Sequence, residues 1–175
     1  TSPWLISNTN SVTITEDDSA GVLGAATYNK IEITDTTSED HGFSQNAGTL
    51  VADVDYVYAV YLKYASSQRF VGVRPYQSNG SFANIVVDLS LGTITQETVR
   101  GTTAATATIE AVDTDEYLVK ITVSAPNSGA RFILLQPHSS GTPSTSTTNG
   151  AETYVGTAGD FFYASGFHLY RSDLG

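Results

Sequence analysis

Three histidines, acidic pairs and a set of polar side chains on alternating positions are the groups in this 175-residue chain that could do chemistry. His41, His138 and His168 do not stand in an HExxH or comparable metal-ligand spacing. There is no GxSxG elbow, no cysteine nucleophile and no glycine-rich phosphate loop between a strand and a helix. Asp17-Asp18 and Glu39-Asp40 fall in expected turns. Two carboxylates flanking a glycosidic bond would be glycosidase chemistry; the simpler reading is solvated turn charge. No catalytic residue and no metal ligand is assigned, no cofactor is expected, and the chain is not expected to be an enzyme.

Binding chemistry is better supplied. Tyr61 and Lys63 point away from the core on one expected strand, and Arg74 and Tyr76 do so on the next. Asn84 and Asp88 follow, with Gln136, His138 and His168 on later strands. Sugars are held by such sets: a ring covers the C–H face of a pyranose while Asn, Gln, Arg and Asp satisfy its hydroxyls. Lys63, Arg69 and Arg74 are three of only eight basic residues and lie within twelve positions. They would suit the carboxylate or sulfate of an acidic glycan. The expected carbohydrate-binding residues are Tyr61, Lys63, Arg74, Tyr76, Asn84, Gln136 and His168, on a shared groove. The competing readings are structural. Tyr61 and Tyr76 could serve as cross-strand packing, Arg74 could pair with Asp88, and His168 could be a hydrogen-bonded structural residue. Trp4, the single Trp, is expected to cap the sandwich end rather than stack on sugar.

The elements that must hold these side chains are strands. Apolar residues recur with period two, as in Tyr56, Tyr58, Val60, Leu62 and in Tyr117, Val119, Ile121, Val123, and no stretch carries a helical stripe. Strands are expected near 11–16, 28–35, 41–46, 56–64, 69–76, 83–89, 92–98, 106–112, 117–124, 130–137 and 161–170. Turn signals separate them at 21–24, 53–55, 79–80, 113–115, 127–129 and 139–150. The fold class is all-β: an antiparallel β-sandwich, jelly roll or concanavalin-like, of about ten strands. The Ser/Thr-rich stretch 139–150 is expected to be a long surface loop, because the apolar run Phe161–Tyr170 needs the same core. The whole chain, 1–175, is therefore expected to be one domain. The core is expected to contain Tyr58, Val60, Leu62, Val71, Val73, Ile85, Val87, Leu89, Val119, Ile121, Phe167 and Leu169.

Composition narrows the partners. Net charge is −10, from 18 Asp+Glu against eight Lys+Arg, so nonspecific nucleic-acid binding is not expected. No apolar run approaches the ~18 residues of a spanning helix, so no membrane insertion is expected. No signal peptide is visible. The chain opens on Thr1 and contains no Met, which leads us to expect either an excised domain or a trimmed chain.

Four short elements carry a resemblance. Tyr56–Lys63, Val87–Ile94, Ile109–Val123 and Tyr154–Asp160 with Gly166–Tyr170 are similar, in order and spacing, to the strand motifs of a β-sandwich family. That family is common in bacteriophage tail and head-fibre proteins and resembles jelly-roll carbohydrate-binding modules. Asp115-Glu116 stands where that family has Gly-Trp, and His168 and Tyr170 replace its final Gln and Glu. The last strand offers no acidic residue for a structural calcium ion, so none is carried over. The resemblance implies non-catalytic attachment to a polysaccharide, acidic ones included, or to a host-surface glycan. It implies an accessory or appendage domain of a phage or extracellular multidomain protein, extracellular or on a virion. A structural fibre or spike module making protein–protein contacts, as a homo-oligomer or within a larger parent protein, is the alternative. A jelly-roll polysaccharide lyase would need Tyr, His, Arg and Gln on one concave sheet. The sequence contains all four types without a lyase motif.

Overall fold

The computed structural model describes residues 6–65, 67–77, 80–101, 105–125 and 129–173. Trp4 and the turn residues Asn79 and Asn127 lie outside them. The described residues form β-strands without a helix. One six-stranded sheet, the front sheet, runs in the order β1 (Ile6–Asn10), β5 (Gly42–Leu50), β12 (Gly129–His138), β7 (Phe70–Gln77), β8 (Phe82–Asp88), β9 (Thr93–Arg100). The back sheet runs β10 (Ala105–Asp113), β11 (Glu116–Ala125), β6 (Val54–Lys63), β14 (Phe161–Arg171), β3 (Gly24–Ile33), β2 (Val12–Gly21). A two-residue ladder joins β13 (Tyr154–Val155) to β4 (Ser38–Glu39). All pairings are antiparallel, and the architecture is a β-sandwich.

Every expected strand forms, within a few residues of its expected ends. The strands not foreseen are β1 and the short β4 and β13, too brief to show a period. Asp53 and Asp115 adopt left-handed backbone (φ of 58° each) at two of the expected turns. Aspartate tolerates that conformation better than most non-glycine residues.

The core lies between the sheets. Phe43, Val71, Val73, Ile85, Val87, Ile133 and Leu135 fill it from the front sheet; Ile31, Tyr58, Val60, Leu62, Val119, Ile121 and Phe162 fill it from the back. Phe167 and Leu169, expected within the core, pack against its margin, partly buried. Each fully buried large side chain contributes roughly 1.5–3 kcal/mol.

On β14 the inward parity changes. Ala164 pairs with Leu62 and Ser165 with Tyr61, but His168 pairs with Ala59 and Leu169 with Tyr58. One extra residue is absorbed at a bulge where Gly166 takes φ of 57°. The bulge keeps both Phe162 and Leu169 on the core side and turns His168 outward.

Candidate functional site

The expected groove does not exist as a single surface. β6 and β7 are consecutive in sequence but belong to opposite sheets. Their outward side chains therefore leave the molecule in opposite directions. Tyr61, Lys63 and His168 lie on the outer face of the back sheet. Arg74, Tyr76, Asn84 and Gln136 lie on the outer face of the front sheet. Four of the seven residues share a face; the other three are across the sandwich.

The cations expected to form one cluster are divided between the two sheets, and Lys63 and Arg69 are already engaged. Lys63 Nζ donates to the Ala20 carbonyl at 2.7 Å and lies 3.1 Å from Glu116. Glu116 is buried, accepts from the Val22 amide at 2.7 Å, and ties β11 to the β2–β3 turn. Arg69, not Arg74, pairs with Asp88: Nε lies 2.9 and 3.0 Å from the two carboxylate oxygens, and Nη2 lies 2.6 Å from one of them. Burial alone would raise the Asp88 pKa, but bonds from Arg69 and Ser90 outweigh it and hold the carboxyl below its ordinary range.

The outer face of the front sheet is roofed. Arg74, Asn84, Gln136 and His138 are buried, as are Phe82 and Val86 on the same face. The segment after β12 supplies the cover through its far end, where Gly150, Ala151 and Glu152 are buried. Gly150 sits so close to Phe82 that a Cβ there would lie 2.6 Å from the ring. Residues 139–150 do form a long loop, but their far end closes down on the sheet.

Glu152 is the pin. Its carboxylate accepts from His138 Nδ1 at 2.9 Å, from the Ser139 amide at 2.8 Å and from the Ser139 hydroxyl. Its backbone carbonyl accepts from Gln136 Nε2 at 3.0 Å, and its amide donates to Gln136 Oε1 at 3.3 Å. Burial pushes the Glu152 carboxyl up, yet these bonds win and keep it low. A carboxylate at Nδ1 fixes the ring so that Nδ1 carries the proton. The other nitrogen, Nε2, is buried without a partner in the protein. It would lie 2.4 Å from a Cβ on Gly72, with Asn84 Oδ1 2.9 Å from the same point. Gly72 is thus required by close approach rather than by backbone angle. The imidazole is sealed against the sheet, so the His138–Glu152 pair holds the roof and does not present a base to solvent.

Beside the roof, a cleft of about 290 Å³ opens between the β6–β7 connection, the start of the 139–153 segment and β13. Its walls carry hydrogen-bonding side chains, Ser67, Gln68, Arg69, Ser139, Thr157 and Asp160, and two aromatic rings, Phe70 and Tyr154. Arg69 sits 4.9 Å from the centre of the Phe70 ring. Gln68 Nε2 bridges the carbonyls of Phe70 (2.6 Å) and His138 (3.0 Å) and fixes that wall. The Tyr154 hydroxyl is buried without a partner in the protein, and burial followed by the Glu152 charge raises its pKa. Its ring packs edge-on against His41 at 4.9 Å, and His41 Nε2 lies 3.0 Å from the Tyr154 carbonyl oxygen.

None of the cleft's polar wall was among the residues expected to bind sugar, although Arg69 stood out as part of the basic run. One signal in the sequence pointed to this face. Ile85-Val86-Val87 is a continuous apolar run, and Val86 sits at an outward position with 0% exposure. Unbroken apolar runs mark strands covered on both sides. Among the described residues no group of three or more His, Asp or Glu is arranged to hold a metal ion. No family model matches the chain, and no curated protein is significantly similar to it.

Proposed function

We propose that the chain is a non-catalytic carbohydrate-binding module and that the 290 Å³ cleft receives the sugar. The observation that carries this is the composition of the cleft wall: three ring-bearing residues, Phe70, Tyr154 and His138, and two aliphatic ones among six short or forked hydrogen-bonding ones, in a space near the lower end of typical ligand sites. Phe70 and Tyr154 offer apolar surface to ring C–H groups, and Ser67, Ser139, Thr157 and Asp160 offer partners to hydroxyls. A neutral glycan fits better than an acidic one. The Arg69 charge is already matched by Asp88, and Asp160 adds a carboxylate. Binding rather than turnover is favoured because the one histidine beside the cleft has its free nitrogen sealed against Gly72 and Asn84. On this reading the module serves as an attachment appendage of a larger extracellular or virion protein, as the strand motifs imply.

Affinity should be micromolar to millimolar, since few contacts offset the cost of association. A glycan array of neutral and acidic polysaccharides, followed by titration, tests the reading. Thr157→Val should weaken the best ligand several-fold while the fold persists; Arg69→Ala should also weaken it, at a cost in stability because buried Asp88 loses its partner. A folded protein that binds no panel member would refute it.

A further inference from the structure

Along the same face lies a second, smaller cavity of about 90 Å³, walled by Arg74, Asp40, Gln136 and Ser44 beside Gly42 and Leu134. Arg74 reaches it from β7 and is 2% exposed. Its Nη1 donates to Gln136 Oε1 at 3.2 Å, while Nε has no hydrogen-bond partner in the protein. Gln136 passes the contact on, its Nε2 donating to Asp40 Oδ1 at 2.7 Å. Asp40 and Arg74 attract one another yet stand farther apart than the 4.0 Å of an ion pair. Burial raises the Asp40 carboxyl, with Arg74 opposing, and lowers the Arg74 guanidinium.

A buried guanidinium with an unpaired donor is costly unless something satisfies it. The cavity already balances its charge, one cation against one carboxylate, so the missing partner need not be an anion. It needs a group that accepts on one side and donates on the other. Two adjacent hydroxyls do this: one oxygen accepts from the guanidinium, and the other O–H donates to the carboxylate. The volume also fits. It exceeds many-fold the ~10–15 Å³ that one water needs, and falls short of the ~150 Å³ that holds a six-membered ring. An edge of a sugar enters; a whole ring does not.

We propose that this cavity is a recognition subsite for a vicinal diol, one edge of a neutral sugar, read by Arg74 and Asp40 across the gap between them. The proposal rests on the carbohydrate-binding reading of the neighbouring cleft and names the hydroxyl pattern selected there.

The test uses the full 175-residue chain and ligand-observed NMR titration with methyl α-D-mannopyranoside, its 2-, 3- and 4-deoxy analogues, and glucuronate. Two adjacent deoxy positions should each weaken binding about tenfold, a typical loss for a charge-assisted hydrogen bond. Asp40→Asn should weaken the mannoside by a similar factor. An anion site gives the opposite sign, because removing the Asp40 charge would tighten glucuronate. Tighter glucuronate in Asp40→Asn, an unchanged mannoside affinity in that variant, or deoxy analogues that all bind equally would each overturn the subsite. The deoxy series needs no substitution, so it decides the matter even if the variant does not fold. Mannoside binding that Arg69→Ala weakens and Asp40→Asn does not would remove the subsite and leave the cleft reading intact. Failure of every probe to bind would remove the subsite, while the cleft reading is decided by the glycan array.

Discussion

Glu152→Gln perturbs the pin that holds the roof over the front sheet. The carboxylate accepts three hydrogen bonds, from His138 Nδ1, the Ser139 amide and the Ser139 hydroxyl, at a position 6% exposed. Glutamine can keep its oxygen opposite His138 Nδ1 and the Ser139 amide, with its NH₂ facing the Ser139 hydroxyl, which turns to accept. The three bonds persist but lose their charge assistance. A hydrogen bond to a charged group is worth roughly 1.5–3 kcal/mol against about 0.5–1.5 for a neutral one, so three weakened bonds lose about 3 kcal/mol together. A loss near 3 kcal/mol lowers Tm by about 6–12 °C for a chain of this size. The acid dependence has a definite sign. The Glu152 carboxyl titrates lower folded than its ordinary value of 4.5. Its stabilisation is therefore fully present above that value and is lost as pH falls through the lower folded value. The variant should lack that part of the acid sensitivity. Thermal unfolding from pH 3 to 7, with hydrogen exchange over 139–152, measures both effects. Equal Tm within about 1 °C, with unchanged protection of the Ser139 amide, would refute the pin.

The remaining predictions concern position and close approach. Gly72→Ala puts a methyl 2.4 Å from His138 Nε2; overpacking of this kind costs roughly 1–3 kcal/mol, read as a lower denaturation midpoint. Gly166→Ala forces a left-handed alanine at φ of 57°, with its Cβ 2.8 Å from Leu23 Cδ1. It should destabilise by at least the ~1–2 kcal/mol of that conformation, measured by urea unfolding. Tyr61→Ala should leave glycan affinity unchanged, because Tyr61 is on the outer face of the back sheet; a several-fold loss by titration would relocate the site. An absorbance rise from unsaturated products on incubation with an acidic glycan would replace binding by lyase chemistry.

Which residues would be strand, and which of those would face the core, was legible because period two reports it directly. From Tyr58 to Ile121 the inward parity holds. Parity says in or out, but not out of which sheet. Tyr61 and Arg74 have the same parity and opposite directions, because the chain crosses the sandwich between β6 and β7. Nor does parity register a roof. Arg74, Asn84 and Gln136 read as wet positions and are buried; over Gln136 the cover is the segment that Glu152, sixteen residues on, pins in place. Composition made the basic run look like an anion site; Glu116 and Asp88, distant in sequence, engage two of its members. The bulge at Gly166 decides where His168 points, and one glycine in an apolar strand does not announce it.

The most direct measurement is a chemical-shift map of the labelled chain titrated with the best neutral oligosaccharide from the array. Shifts are expected at 67–70, 138–139 and 154–160, extending to Asp40 and Arg74, with the outer face of the back sheet silent. Shifts centred on Tyr61, Lys63 and His168, or none at saturating sugar, would contradict the cleft assignment.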